Sequence, residues 1–267
     1  MLSPDVDPHD YEPRPSDAQA VAGARAVFKS GGDLDAWLSE VIESAGGDAP
    51  VVELIDRVET IEGGHGHDDG GEEHEGAGEA VDPHWWHDPR NTERAVSAIE
   101  AELTGVDPAG RKDYARNARA YRERLARLDR QVADCLGRIP AVERKLVTTH
   151  DALGYFAERY DVEIVGSVLD SLSTEAQPSA GATRDLIDQV RAEDVRVIFA
   201  ESSVDSRLEQ AIAREAGARV GAPLYADTLG VEGSPGATYV GSVAANADAM
   251  ASGFSDGAVR CSPPAAR

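Results

Sequence analysis

Lysine is nearly absent from this 267-residue chain, aromatic residues make up 5% of it, and cysteine occurs twice. No apolar run reaches the roughly 18 residues a bilayer-spanning helix needs, which excludes a membrane span. The opening residues, MLSPDVDPHDYEPRP, carry no basic segment followed by an apolar one, so the chain as written has no signal peptide. The two cysteines, Cys135 and Cys261, form no CxxC pair. That argues against a thiolate zinc site and against a disulfide framework, and Cys135 is expected to be an ordinary helix-packing residue. A phosphate-cradling P-loop, a GxGxxG, a serine nucleophile elbow and an HExxH pair are also missing, so nucleotide hydrolysis, dinucleotide binding and acyl transfer have no support.

Net charge is −23, with arginine supplying most of the positive charge. Such a surface excludes nucleic acid as a partner, because phosphate neutralisation needs basic patches. It has two readings: an anionic surface that attracts cations, or the acidic, lysine-poor surface of a protein from a salty environment. Near 1 M salt the Debye length is about 3 Å, which would screen any long-range steering.

Hydrophobic residues make up 41% of the chain, enough for a packed core of Val, Leu, Ile and Ala. Along the sequence, helical and strand patterns alternate. Ser16 caps a helix over 17–24, residues 26–28 read as a strand, Asp33 or Asp35 starts a helix, and 51–55 is a strand. Asn91 caps a helix over 92–103. The longest helical pattern runs over 108–136, roughly 40 Å at 1.5 Å per residue. Strands at 145–149, 162–168, 195–200 and 219–225 then alternate with helices at 151–160, 182–192, 206–217 and 239–254. The tail from Ser255 is rich in Gly and Pro and is expected to fray. Alternation of this kind predicts an α/β fold: two lobes of parallel sheet flanked by helices, joined by one long rigid helix. The N-terminal lobe takes 1–107, the linking helix 108–138 and the C-terminal lobe 139–267.

Four islands stand out against this background. Asp-Pro-His occurs at 7–9 and again at 82–84, followed by Thr-Thr-His-Asp at 148–151 and Tyr-Ala-Asp-Thr at 225–228. His150, Glu201 and Asp227 each follow the C-terminal end of an expected strand, where open parallel sheets bind ligands. His9, His84, His150 and Asp227 make a complete four-ligand set for tetrahedral zinc, and a closed set holds a metal rather than leaving a position for catalysis. His87 is a spare ligand or, by preference, a surface histidine. Residues 62–80, EGGHGHDDGGEEHEGAGEA, form a polar loop whose histidines His65, His67 and His74 either collect zinc near the site or are incidental.

The segments DPHDYEPRPSD, DPHWWHDP, TTHDALGYFAERY, IFAESSVDSRLEQAIAREAG, LYADTLG and TYVGSVAANADAM resemble, in order and spacing, the metal-binding subunits of cluster A-I ABC importers, the zinc/manganese solute-binding proteins. The resemblance covers nearly the whole chain. It implies two α/β lobes with a metal in the cleft, ligands His9, His84, His150 and Asp227, Glu201 as a group behind the ligands or a helix cap, and an extracytoplasmic monomer that delivers its metal to a membrane permease served by a separate ATPase. It also implies a strand and helix ahead of the first Asp-Pro-His, so the chain reads as truncated at its N-terminus. Members with glutamate at the position of His150 look like manganese binders, which makes zinc the expected metal and manganese the alternative. An adhesin or metal-sequestering protein on the same fold is a further alternative, and a zinc hydrolase with Glu201 as base a remote one.

Overall fold

The computed structural model describes residues 2–4, 6–63 and 81–261. The N-terminal part contains α1 (Pro15–Ala22), β1 (Val27–Lys29), α2 (Ala36–Ala45), β2 (Val51–Glu53) and α3 (Pro89–Val106). The long α4 (Arg111–Leu136) follows. Beyond it come β3 (Lys145–Thr148), α5 (Gly154–Tyr160), β4 (Glu163–Ser167), α6 (Ala180–Ala192), β5 (Val197–Ile198), α7 (Arg207–Ala216), β6 (Arg219–Val220) and α8 (Tyr239–Phe254). The fold is α/β as expected, with parallel pairs β1/β2, β3/β4 and β5/β6.

The C-terminal part is a three-layer sandwich. A hydrogen bond of 2.9 Å from Phe199 N–H to the Val147 carbonyl seats the end of β5 beside β3, giving a strand order β4-β3-β5-β6. Side chains alternate across this layer, as strand geometry requires. Leu146, Val197 and Phe199 face a core shared with Leu125, Leu128 and Leu136 of α4, Phe156 of α5 and Val243, Met250 and Phe254 of α8. Val147 and Ile198 face the other way, against Leu186 and Val190 of α6 and Ile212 of α7. Asp129 fixes α4 to α5: its carboxylate takes a forked pair of bonds from Arg159, 2.8 and 2.7 Å, and a third from the Tyr160 hydroxyl at 3.1 Å.

The N-terminal part has smaller cores. Val21, Val27, Leu38 and Val41 cluster between α1, β1 and α2, and Ile55, Trp85 and Ala95 pack with Tyr155 from the other part. Lys29, one of the few lysines, is buried on β1 and held by Glu53 and Ser39, each at 2.9 Å.

Several expectations are corrected. Cys135 and Cys261 form a disulfide, so Cys135 is more than a packing residue and the tail after α8 is tied down as far as Cys261. Arg138 adds a bond of 2.7 Å to the Arg260 carbonyl. The α3 helix starts three residues early, because Asp88 caps it by accepting from the Arg90 N–H at 2.8 Å, with Pro89 in the first turn. Asn91 instead lies inside the helix and exchanges bonds with the backbone of Glu59, 3.1 and 2.9 Å. His87 is buried, with 2% of its surface exposed, contrary to the expected surface position. Its short 3-10 turn, Trp85–His87, tucks the ring inward beside Trp86. Residues 64–80, with His65, His67 and His74, lie outside the described residues.

Candidate metal centre

Both Asp-Pro-His turns are built the same way. Asp7 Oδ1 accepts the His9 backbone N–H at 2.9 Å, and Asp82 Oδ1 accepts that of His84 at 2.8 Å. An aspartate two residues ahead of a backbone N–H makes such an Asx turn, and the intervening proline narrows the loop further. Gly32 gives the second turn room: a Cβ there would sit 2.7 Å from Ile55 and 3.1 Å from Pro83. In the C-terminal part, His150 follows β3, Glu201 follows β5 and Asp227 follows β6, the edge of the sheet where ligand sites form.

These loops bring one atom each of His9, His84, His150 and Asp227 within 4.8 Å of one another. Asp227 is at the centre: Oδ2 lies 3.1 Å from His150 Nε2 and 3.4 Å from His9 Nε2, and Oδ1 lies 3.5 Å from His84 Nε2. His150 Nε2 and His84 Nε2 are 3.3 Å apart. A tetrahedron of zinc ligands at about 2.0–2.1 Å from the metal has edges of roughly 3.3 Å. His9 Nε2 and both Asp227 oxygens are buried without a hydrogen-bond partner, an arrangement that is costly unless a cation meets them.

Carboxylates stand behind two of the rings. His84 Nδ1 lies 2.7 Å from Asp82 Oδ1, and His150 Nδ1 lies 2.7 Å from Glu201 Oε1, which also accepts the His150 backbone N–H at 3.1 Å. A carboxylate only accepts, so each Nδ1 carries a proton and Nε2 is the nitrogen each ring turns to the centre. The Glu201 support is itself backed by Thr149, whose hydroxyl accepts the Glu201 N–H at 3.2 Å and donates to the buried Glu209 at 2.7 Å. Burial disfavours the His150 imidazolium, but the Glu201 and Asp227 carboxylates outweigh it and hold its pKa well above the usual histidine value. Burial likewise opposes ionisation of Asp227, yet His150 and His84 hold its carboxyl well below the usual range. His87 is set apart from the cluster. Burial above all, with the charges of His84 and His150, pushes its pKa down to about 3, so the ring is neutral.

Sequence reasoning found the four convergent residues and Glu201. It missed Asp82 and Asp7, although their repeated place two residues before a histidine was a signal. It also missed the aromatic frame. Trp86 Nε1–H donates to the Ala226 carbonyl at 3.1 Å, next to Asp227, and the Tyr239 hydroxyl donates to the Trp86 carbonyl at 2.7 Å. The Tyr155 hydroxyl donates to the Asp82 carbonyl at 2.9 Å. The adjacent Trp-Trp-His was the signal for part of this frame.

The family model of ZnuA, the periplasmic zinc-uptake complex component A, matches residues 1–253. The manganese-binding lipoprotein MntA of Halalkalibacterium halodurans is 31% identical over 249 residues, spanning 93% of this chain and 78% of that protein. The iron-binding protein YfeA of Yersinia pestis is 31% identical over 254 residues, spanning 95% and 78%. Among solved structures, the periplasmic zinc-binding protein TroA from Treponema pallidum aligns with a TM-score of 0.82 at 26% identity, over 95% of this chain and 89% of that one. With nearly its whole length matched, this chain belongs to the ZnuA family of metal-binding, solute-capturing subunits of ABC transporters and is not an enzyme.

Proposed function

We propose that the protein captures zinc with His9, His84, His150 and Asp227, in a cleft between lobes formed by residues 1–107 and 139–267, and hands it to a membrane permease driven by a separate ATPase. The observation that carries the metal is the donor set: three imidazoles and one carboxylate with mutual distances near a zinc tetrahedron. Glu201 and Asp82 orient the rings from behind. An extracytoplasmic setting is supported by the Cys135–Cys261 disulfide, since such bonds persist in oxidising compartments. The relatives named as lipoproteins or periplasmic proteins agree with it.

Zinc outranks manganese in most nitrogen and oxygen sites, so affinity alone is a weak discriminator. The test is competitive titration joined to X-ray absorption of the loaded protein. Zinc should bind tightly at one site with four nitrogen or oxygen ligands at about 2.0 Å, and manganese weakly. Manganese is the second reading, favoured by the two partnerless Asp227 oxygens, which can both turn to one ion. A five- or six-coordinate ion and comparable manganese affinity would establish it in place of zinc.

Loading must displace the proton that Glu201 and Asp227 hold on His150. Affinity is therefore expected to fall as pH drops through the raised His150 pKa, by up to about tenfold per pH unit. The sign differs for the metal-free chain. A histidine whose folded-state pKa is raised stabilises the fold below its unfolded pKa, near 6.5, and that contribution is lost as pH rises through the folded value. Titrations across neutral pH check both; a pH-independent affinity would contradict the imidazole-rich site.

A further inference from the structure

The four convergent residues are held unequally. Trp86, two residues after His84, is bonded to the carbonyl before Asp227, and Thr92 donates at 2.9 Å to the Tyr239 hydroxyl that in turn holds Trp86. His150 is fixed by Glu201 at both its backbone and its ring. These three side chains are 0%, 2% and 0% exposed for His84, Asp227 and His150, against 8% for His9. The rings of His84 and His150 have centroids 5.2 Å apart, whereas that of His9 stands 6.1 and 5.6 Å from them. His84, His150 and Asp227 thus form a prebuilt bowl, and His9 sits at its rim.

The His9 loop has its own anchors on the N-terminal side. Tyr11 donates to Asp17 at 2.6 Å and packs on Trp37. A hydrogen bond also joins loop 6–12 to the C-terminal part: the Thr174 hydroxyl donates to Asp7 Oδ2 at 2.7 Å. The other oxygen of that carboxylate accepts the His9 N–H. Thr174 rides on a segment bonded to both neighbours of His150: Leu169 N–H donates to Thr149 and Asp151 N–H to the Ser171 carbonyl, 2.9 and 2.8 Å. A continuous path therefore runs from the His150 loop through Thr174 and Asp7 to His9.

We infer that Thr174 is a positioning residue which, through Asp7, latches His9 over the bowl and sets the rate at which metal leaves. This rests on the reading of the four residues as metal ligands. Metal enters a three-ligand bowl first, and His9 closes on it last. On release His9 departs first, and the latch opposes that departure. Entry is independent of the latch because the bowl is already formed.

The test is stopped-flow transfer of zinc from the loaded full-length chain to excess chelator, with association measured separately. Thr174→Val keeps the side-chain shape and removes the donor. It is expected to release zinc about tenfold faster, the scale of one hydrogen bond to a charged acceptor, with the association rate unchanged. Thr174→Ser restores the slow release, which a general loss of packing would not allow. Asp7→Asn, left with one accepting oxygen for two donors, should also release faster. Equal release from wild type and Thr174→Val, or equally fast release from Thr174→Ser and Thr174→Val, overturns the latch while leaving the site intact. A wild-type chain that holds no metal overturns the site reading and the latch with it.

Discussion

A His150→Ala chain is expected to lose tight zinc binding by more than about a hundredfold, since loss of a group that merely supports a ligand costs about 10–100-fold. Of the three histidines His150 comes nearest to Asp227, at 3.1 Å, and it lies 3.3 Å from His84 with Glu201 behind it. Alanine removes the nitrogen nearest to Asp227 and leaves the Glu201 carboxylate with only the backbone N–H of residue 150. Glu201→Gln keeps the ring but can no longer enforce the Nδ1 proton, and should fall between the variant and wild type. The same ordering should appear in thermal shift, because a ligand at about a hundred times its Kd stabilises by about 2.7 kcal/mol. Zinc should raise the Tm of wild type strongly, of Glu201→Gln less, and of His150→Ala hardly at all. A His150→Ala chain that keeps zinc affinity would sink the assignment of the centre.

Much of this centre was legible because strand ends announce it. His150, Glu201 and Asp227 follow short parallel strands, and a parallel sheet brings such ends to one edge. The α8 helix was readable to the residue, Tyr239–Phe254, because its apolar positions recur with helical period over four turns. The strands were read too long. The run at 195–200 is buried except at Arg196, but the ladder is formed only at Val197–Ile198, with an isolated bridge between Glu201 and Leu224. Burial on both faces extends an apolar run beyond its hydrogen-bonded core. Asp88-Pro89 was a cap with proline in the first turn, and the asparagine that follows drew the helix start away from it. Thr174 was invisible for a different reason. It lies 167 residues from Asp7 in a stretch without pattern, and only the folded chain places them together.

The disulfide was missed for the same reason, and its removal is the second large effect expected. Two isolated cysteines 126 residues apart have no spacing signature, so the rule for frameworks was silent. The bond nonetheless closes a loop that contains most of the C-terminal part, from the end of α4 to the segment after α8. In the chain-entropy account a loop of that length corresponds to about 5 kcal/mol, and measured losses run at about 2–5 kcal/mol. The native state also loses an anchor. Cys261 N–H donates to Asp248 at 2.8 Å on α8, and Arg138 spans from the end of α4 to the Arg260 carbonyl. With the bond gone, the strap is left with the residue 261 N–H bond to Asp248 and with partly exposed arginine contacts, which hold little. A Cys135→Ser, Cys261→Ser double variant, or the reduced wild type, should therefore unfold at a distinctly lower denaturant midpoint. Zinc affinity measured well below that midpoint should be unchanged, because two ligands ride on the sheet edge, two on the Asp-Pro-His turns, and none on the strap. Equal midpoints for the oxidised and reduced chains would mean that α4 and α8 hold together by their apolar contacts alone.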